Sequence, residues 1–231
     1  MNNFSDTLIE EYDLFGKVFP FHDELQNCIP GSLEKHFLDK TKNYTFLDIG
    51  AGYGFTTSCV AKIFPNAHFI VNEYDSELLS RADKYLSAIS RENKLGDIEL
   101  VIKDIPDASV DAAYTAWVLH NFPKEKRKVI FKEISRILKP DGIFVYLEKI
   151  GNPGKERTES LVRFILSIDG FLNKYYRPDL FIDWVKHYLR DEEPELLFSD
   201  DEHETLLKEN NFSTECIKNI LLEKVFVTKN N

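Results

Sequence analysis

Phe46-Leu47-Asp48-Ile49-Gly50-Ala51-Gly52-Tyr53-Gly54 is an apolar, strand-forming run that stops in three alternating glycines, after which Thr56 to Phe64 turns amphipathic. That order reads as a strand, a tight loop and a helix. Glycines at such a corner tolerate positive φ and let backbone N–H groups approach a ligand lying across the strand end, so the loop reads as a cofactor cradle. A dinucleotide loop needs G-x-G-x-x-G, but the third glycine position holds Phe55, which disfavours NAD or FAD. Asp48 sits two residues before the loop, and its carboxylate suits a cationic ligand better than a diphosphate. Glu73 closes the next apolar run, His68 to Glu73, where a carboxylate can accept both hydroxyls of a ribose. A cationic, ribose-bearing cofactor without phosphates is S-adenosylmethionine.

With the Gly50 loop and Glu73 stand two further motifs, Asp107 to Phe122 (DASVDAAYTAWVLHNF) and Ile137 to Glu148 (ILKPDGIFVYLE). In this order the chain resembles a class I S-adenosylmethionine-dependent methyltransferase of the small-molecule type over roughly residues 40–150. The second motif is similar to the family's fourth strand and its "LHH"-like segment, the third to its LKPGG turn and fifth strand. The resemblance implies an α/β Rossmann-like, doubly wound sheet of seven strands, in the order 3-2-1-4-5-7-6 with strand seven antiparallel. It also implies a set of cofactor-binding residues: Asp48, Gly50, Ala51, Gly52, Glu73, Tyr74, Asp104, Ile105, Thr115 and Ala116. Of these, Asp104 would accept the adenine amino group, and Ile105 would pack on the ring.

The 231 residues suit one α/β domain with an added lid. With 29 basic against 39 acidic residues the formal charge is −10, which disfavours a nucleic-acid backbone as partner. The three cysteines, Cys28, Cys59 and Cys216, lack disulfide or metal-ligand spacing and read as reduced core thiols. No metal site is expected. With no charged-then-apolar targeting stretch at its start and no long apolar run, the expectation is a soluble cytoplasmic protein that does not engage a membrane.

Residues 1–39 read as a helical leader. Phe4, Leu8, Tyr12 and Phe15 share one helix face, and a second helix reaches Leu38 with a kink at Pro30-Gly31. Tyr12 is a candidate to cover the cofactor and Phe19 the acceptor. Residues 40–150 form the cofactor-binding core. In it, strand two leads to a helix capped by Asp75 or Ser76 and fading out near Gly96, and strand three is Ile98 to Lys103. Strand four ends in Trp117, a candidate acceptor contact, and His120, a candidate general base because imidazole titrates near neutrality; helix capping is its bland alternative. Lys124-Glu125-Lys126-Arg127-Lys128 reads as a solvated helix face.

Residues 151–195 form an aromatic helical insertion. Phe164, Tyr175, Tyr176 and Trp184 are its candidate acceptor contacts, with a homodimer surface as the alternative. Asp191 to Glu204 reads as solvated, and residues 196–231 add a helix and a β-hairpin. The expected reaction is methyl transfer to a small, partly apolar acceptor. Two alternatives stay open: a relative of the tRNA-modifying carboxy-S-adenosylmethionine synthases, and a non-catalytic regulator that binds the cofactor. The first is suggested by Val18-Phe19-Pro20 and weakened by the lack of an arginine in His203 to Lys208.

Overall fold

The computed structural model describes residue 17, residues 21–174 and residues 176–231. Among these, α1 (His22–Gln26) and α2 (Cys28–His36) precede β1 (Thr45–Ile49), α3 (Phe55–Ile63), β2 (His68–Glu73), α4 (Ser76–Tyr85) and β3 (Arg91–Leu95). Then come α5 (Ile98–Val101), β4 (Val110–Ala116), α6 (Lys124–Ile137) and β5 (Leu138–Lys149). The insertion supplies α7 (Lys155–Lys174) and α8 (Phe181–Arg190), and the chain closes with α9 (Asp200–Glu209), β6 (Phe212–Ile220) and β7 (Glu223–Asn230).

The strands form one sheet of order β3-β2-β1-β4-β5-β7-β6. β1 pairs in parallel with β2 and β4, and β7 pairs antiparallel with β5 and β6, as the resemblance implied. Parallel pairing follows from the right-handed β-α-β crossover and brings the carboxyl ends of β1, β2 and β4 to one edge. The central strands are buried on both faces. One layer joins Phe46, Phe69, Tyr114 and Val145 to α2, α3 and the insertion, and the other joins Leu47, Ile49, Ala113 and Tyr146 to α6 and α9.

Strand three lies upstream of its expected place. The run Ile98 to Lys103 is a helical turn continued by a 3-10 turn at Ile102–Asp104, capped at its start by the Asp97 carboxylate, which accepts from the Glu99 N–H. The strand is Arg91–Leu95. Being at the sheet edge, it is only half covered and can be polar, so it lacks the apolar signature of a central strand. The preceding helix accordingly ends at Tyr85, not near Gly96.

Four smaller expectations are also corrected. The leader breaks at Asn27, while Pro30 sits in the first turn of α2, where a missing N–H costs nothing. Arg127 is fully buried on α6 although its neighbours in sequence are charged. Asp191, Glu202 and His203 are buried too, not solvated. The cysteines are free, but Cys28 and Cys59 are only half-buried and Cys216 is exposed. No helix among the described residues is long and apolar enough to cross a membrane.

Candidate active site

A cavity of about 750 Å³ opens along the carboxyl edge of the sheet. Its floor is the turn from β1 into α3. Gly50, Gly52 and Gly54 have φ of 66°, 57° and 89°, in the left-handed region that glycine adopts at no steric cost. Packing enforces the choice at two of them: a Cβ on Gly50 would lie 2.5 Å from Val118 Cγ2, and one on Gly54 would lie 2.7 Å from Leu86 Cδ1.

Asp48 borders the cavity and is buried, its Oδ2 accepting from Thr57 Oγ1 at 2.5 Å. Burial, assisted by the nearby Glu73 and opposed by the Thr57 hydrogen bond, lifts its pKa to about 7. A carboxyl whose folded pKa is raised contributes stability that is complete below its unfolded value near 4 and is lost as pH rises through about 7. Asp48→Asn is therefore expected to flatten the fall in stability between about pH 4 and 8, read by urea unfolding at a series of pH values.

Glu73 closes β2. Its Oε2 accepts the Gly52 N–H at 2.7 Å and its Oε1 the N–H groups of Tyr74 and Asp75 at 2.8 and 3.0 Å. A carboxylate offers about four acceptor positions, so Oε2 keeps one for a ligand hydroxyl. Burial nonetheless raises the Glu73 pKa against these bonds.

At the end of β3, Asn72 Nδ2 donates to the carbonyls of Lys94 and Gly96, and Gly96, Asp97 and Ile98 border the cavity. These residues occupy the strand-three end expected of Asp104 and Ile105. Asp104 is exposed and Ile105 is in the core, neither facing the cavity, because the strand ends eight residues earlier than the apolar run suggested. Asp97 was legible only as a helix cap before that run.

The other end of the cavity lies beyond β4. Trp117 takes a left-handed φ of 57°, and the chain then turns tightly around the Glu148 carboxylate at the end of β5. That carboxylate accepts the N–H groups of Val118, Leu119 and His120 at 2.9, 2.8 and 3.2 Å, and its Oε2 lies 2.7 Å from His120 Nδ1. His120 borders the cavity and its Nε2 is 3.9 Å from Asp191 Oδ2. Burial opposes the charged imidazole, but Asp191 and Glu148 outweigh it and the pKa is raised. His120 does not cap α6, whose N-cap is Pro123 without a side-chain bond. Lys149, Asp191, Tyr188 and Glu223 complete this end, and His22 of α1 stacks on Trp117 at 5.3 Å between ring centroids.

Gly50, Ala51, Tyr74, Ala116 and Trp117 thus face the cavity with Asp48, Glu73 and His120. Gly52 is spent on Glu73, and Thr115 is buried behind the wall with its hydroxyl on the Ile49 carbonyl. Among the described residues the insertion reaches the cavity through its C-terminal end, including Tyr188 and Asp191, and not through Phe164, Tyr176 or Trp184. Phe164 stacks on Tyr188 at 3.8 Å in the core, Trp184 is 2% exposed, and Tyr176 is 90% exposed at the surface. Tyr12, Phe19 and Tyr175 lie outside the described residues.

The residues fit S-adenosylmethionine by charge. The ends of β1, β2 and β3 bring Asp48, Glu73, Asp75 and Asp97 to the cavity, which would repel a diphosphate and attract a sulfonium. The volume lies within the range of small-ligand sites.

Residues 47–146 match the family described as a methyltransferase domain. A demethylmenaquinone methyltransferase of Lactobacillus johnsonii is 30% identical over 147 residues, which span 59% of this chain and 59% of that protein. The PH0226 protein of Pyrococcus horikoshii superposes with a TM-score of 0.64 at 16% identity, covering 96% of this chain and 99% of that one. A CurJ carbon methyltransferase does so with a TM-score of 0.63 at 18% identity, over 90% of this chain and 54% of the other. At these identities the structural likeness speaks for the fold. The glycine turn ending in an acid-lined cavity, the strand order with β7 reversed and the matched segment 47–146 together place a methyltransferase-domain match on the Rossmann-like methyltransferase fold.

Proposed function

We propose that the protein transfers the methyl group of S-adenosylmethionine to a small, partly apolar acceptor. The observation that carries this reading is the shared cavity: the acidic cradle of β1 to β3 continues into a mixed aromatic and polar chamber walled by Trp117, His120 and Tyr188. Bound in the cradle, the cofactor would supply an electrophilic methyl on a positively charged sulfur. The chain's contribution is then alignment, which in well-oriented reactions supplies several kcal/mol, and removal of an acceptor proton where there is one. Tyr188, delivered by α8, closes the chamber from the insertion side, and Glu148 fixes the Trp117 to His120 turn opposite. The free cysteines suit a reducing compartment, which favours the cytoplasm.

Isothermal titration with S-adenosylhomocysteine tests the cradle. Glu73→Ala is expected to weaken binding about tenfold to a hundredfold, or about 1.5–3 kcal/mol for a charge-assisted hydrogen bond. An unchanged heat curve removes the ribose assignment. Mass spectrometry of the cofactor recovered with the protein separates the carboxy-S-adenosylmethionine alternative, since an adduct heavier by a carboxyl group contradicts methyl transfer. Turnover to S-adenosylhomocysteine in a metabolite extract separates the regulatory alternative.

A further inference from the structure

Glu223 opens β7, outside the segment matched to the methyltransferase domain, and the antiparallel register sets it directly opposite Lys149, the last residue of β5. It is 6% exposed and borders the cavity. Its Oε2 accepts from Trp117 Nε1 at 2.8 Å, which fixes the carboxylate against the left-handed turn after β4. Its Oε1 has no hydrogen bond to any described residue.

The other acids at this end are already matched. Glu148 is filled by three backbone N–H groups and His120. Asp191 stands between Lys149 at 3.6 Å and His120 at 3.9 Å. His120, placed between Glu148 and Asp191, is favoured as imidazolium, and an imidazole that already carries its proton accepts no other.

We propose that Glu223 is the proton acceptor of the reaction and that the methyl acceptor is a hydroxylated aromatic ring; the inference rests on the methyltransferase reading above. Trp117 and Tyr188 give this end flat apolar walls that suit a ring. The cations favour oxygen as the accepting atom: Lys149, held by Asp191 and Glu192, and His120, held by Glu148 and Asp191, stand fixed at the cavity wall, where they would stabilise the oxyanion formed as a hydroxyl loses its proton. In the step, the acceptor O–H bond breaks, the proton passes to Glu223 Oε1 and the electron pair stays on oxygen. The oxygen then bonds to the methyl carbon as the carbon–sulfur bond breaks, its pair remaining on sulfur and neutralising the sulfonium. Glu223 returns its proton to water. Burial, opposed by His120, Lys149 and the Trp117 bond, moves the Glu223 pKa to about 7, where a carboxylate works as a base at neutral pH. The other charged groups at this end are Glu148, Asp191 and Glu192, the last 2.7 Å from Lys149 Nζ, with Arg190, Glu193 and Glu195 of the same segment also bordering the cavity.

The chain has two tryptophans, so its nitrogen-15 spectrum carries two indole N–H signals, assigned by Trp117→Phe. In the wild type the Trp117 signal is expected to shift with a midpoint near pH 7, and Glu223→Gln, which keeps an acceptor for the indole, is expected to abolish that step. Affinity of this variant for S-adenosylhomocysteine should stay within about twofold. With radiolabelled S-adenosylmethionine and a phenol series from phenol to 4-nitrophenol, Glu223→Gln should slow methylation of phenol about a hundredfold and of 4-nitrophenol much less, because the more acidic hydroxyl needs less help. An indole signal flat between about pH 5 and 9, or a loss uniform across the series, overturns the role of Glu223. Binding of S-adenosylhomocysteine with no phenol methylated by the wild type overturns the aromatic hydroxyl, whereas no binding at all strikes the methyltransferase reading itself.

Discussion

Arg127→Ala is expected to lower the unfolding free energy by about 3–5 kcal/mol, the cost of leaving a buried charge without its partner. Arg127 is fully buried at the end of the first turn of α6, and all of its donors are engaged. Nε and one terminal nitrogen bind Glu202 of α9 in a fork at 2.7 and 2.8 Å. The remaining N–H groups bond the carbonyls of Phe122, Leu196 and Leu197, and the guanidinium lies 4.5 Å from the Phe198 ring. One side chain therefore ties the two segments that carry Phe122 and Leu196, both cavity walls, to two helices. Its removal strands Glu202 at 6% exposure and frees three carbonyls at once. The measurement is the urea midpoint of wild type, Arg127→Ala and the double variant Arg127→Met/Glu202→Leu. Removing both charges restores most of the loss, since the penalty belongs to the uncompensated carboxylate. A single variant within about 1 kcal/mol of wild type shows that Glu202 finds solvent, and that the network does not hold the wall.

Trp184→Ala is expected to cost a similar amount, about 3–5 kcal/mol, through the cavity it leaves. Trp184 lies on the buried face of α8, in the same apolar cluster as Phe164 and Ile168 of α7, Leu180, Tyr188 and the β7 residue Val225. The insertion is thereby fused to the sheet core, and its tryptophan serves packing instead of an acceptor. Against a usual total stability of 5–15 kcal/mol, such a loss leaves the variant marginal. Thermal and urea unfolding read the effect, and S-adenosylhomocysteine affinity measured where the variant is still folded stays within about threefold. A Trp184→Ala protein as stable as wild type would show that α7 and α8 form a separable lid. A fall in acceptor turnover with unchanged stability would return Trp184 to the acceptor site.

What could be read from the sequence was local chemistry with a fixed geometric consequence. The glycines after Asp48 demand a left-handed corner at a strand end, and the acid ending His68 to Glu73 sits one crossover away, so chain chirality alone brings both to one edge. The strands that are buried on both faces, β1, β2, β4 and β5, announced themselves as apolar runs. The strand order followed from the resemblance of three motifs, and the reversed hairpin agreed with it.

What escaped the sequence depends on which surfaces meet. Arg91 to Leu95 is polar because an edge strand is covered on few sides, while Ile98 to Ile102 is apolar because α5 and the turn after it pack into the core under β2; periodicity cannot tell these apart in five residues. Arg127, Glu202 and Asp191 look like solvated charges in the chain and become buried partners only when α6, α9 and the end of the insertion close on one another. Trp184 and Phe164 carry the same aromatic signature whether they line a chamber or fill a core, and the faces that α8 and α7 turn to the core decide between them. Glu223 is the clearest case. Nothing in Leu222-Glu223-Lys224 marks a site, and only the antiparallel register of β7 against β5 carries a carboxylate from the end of the chain to the side of Lys149, Trp117 and His120.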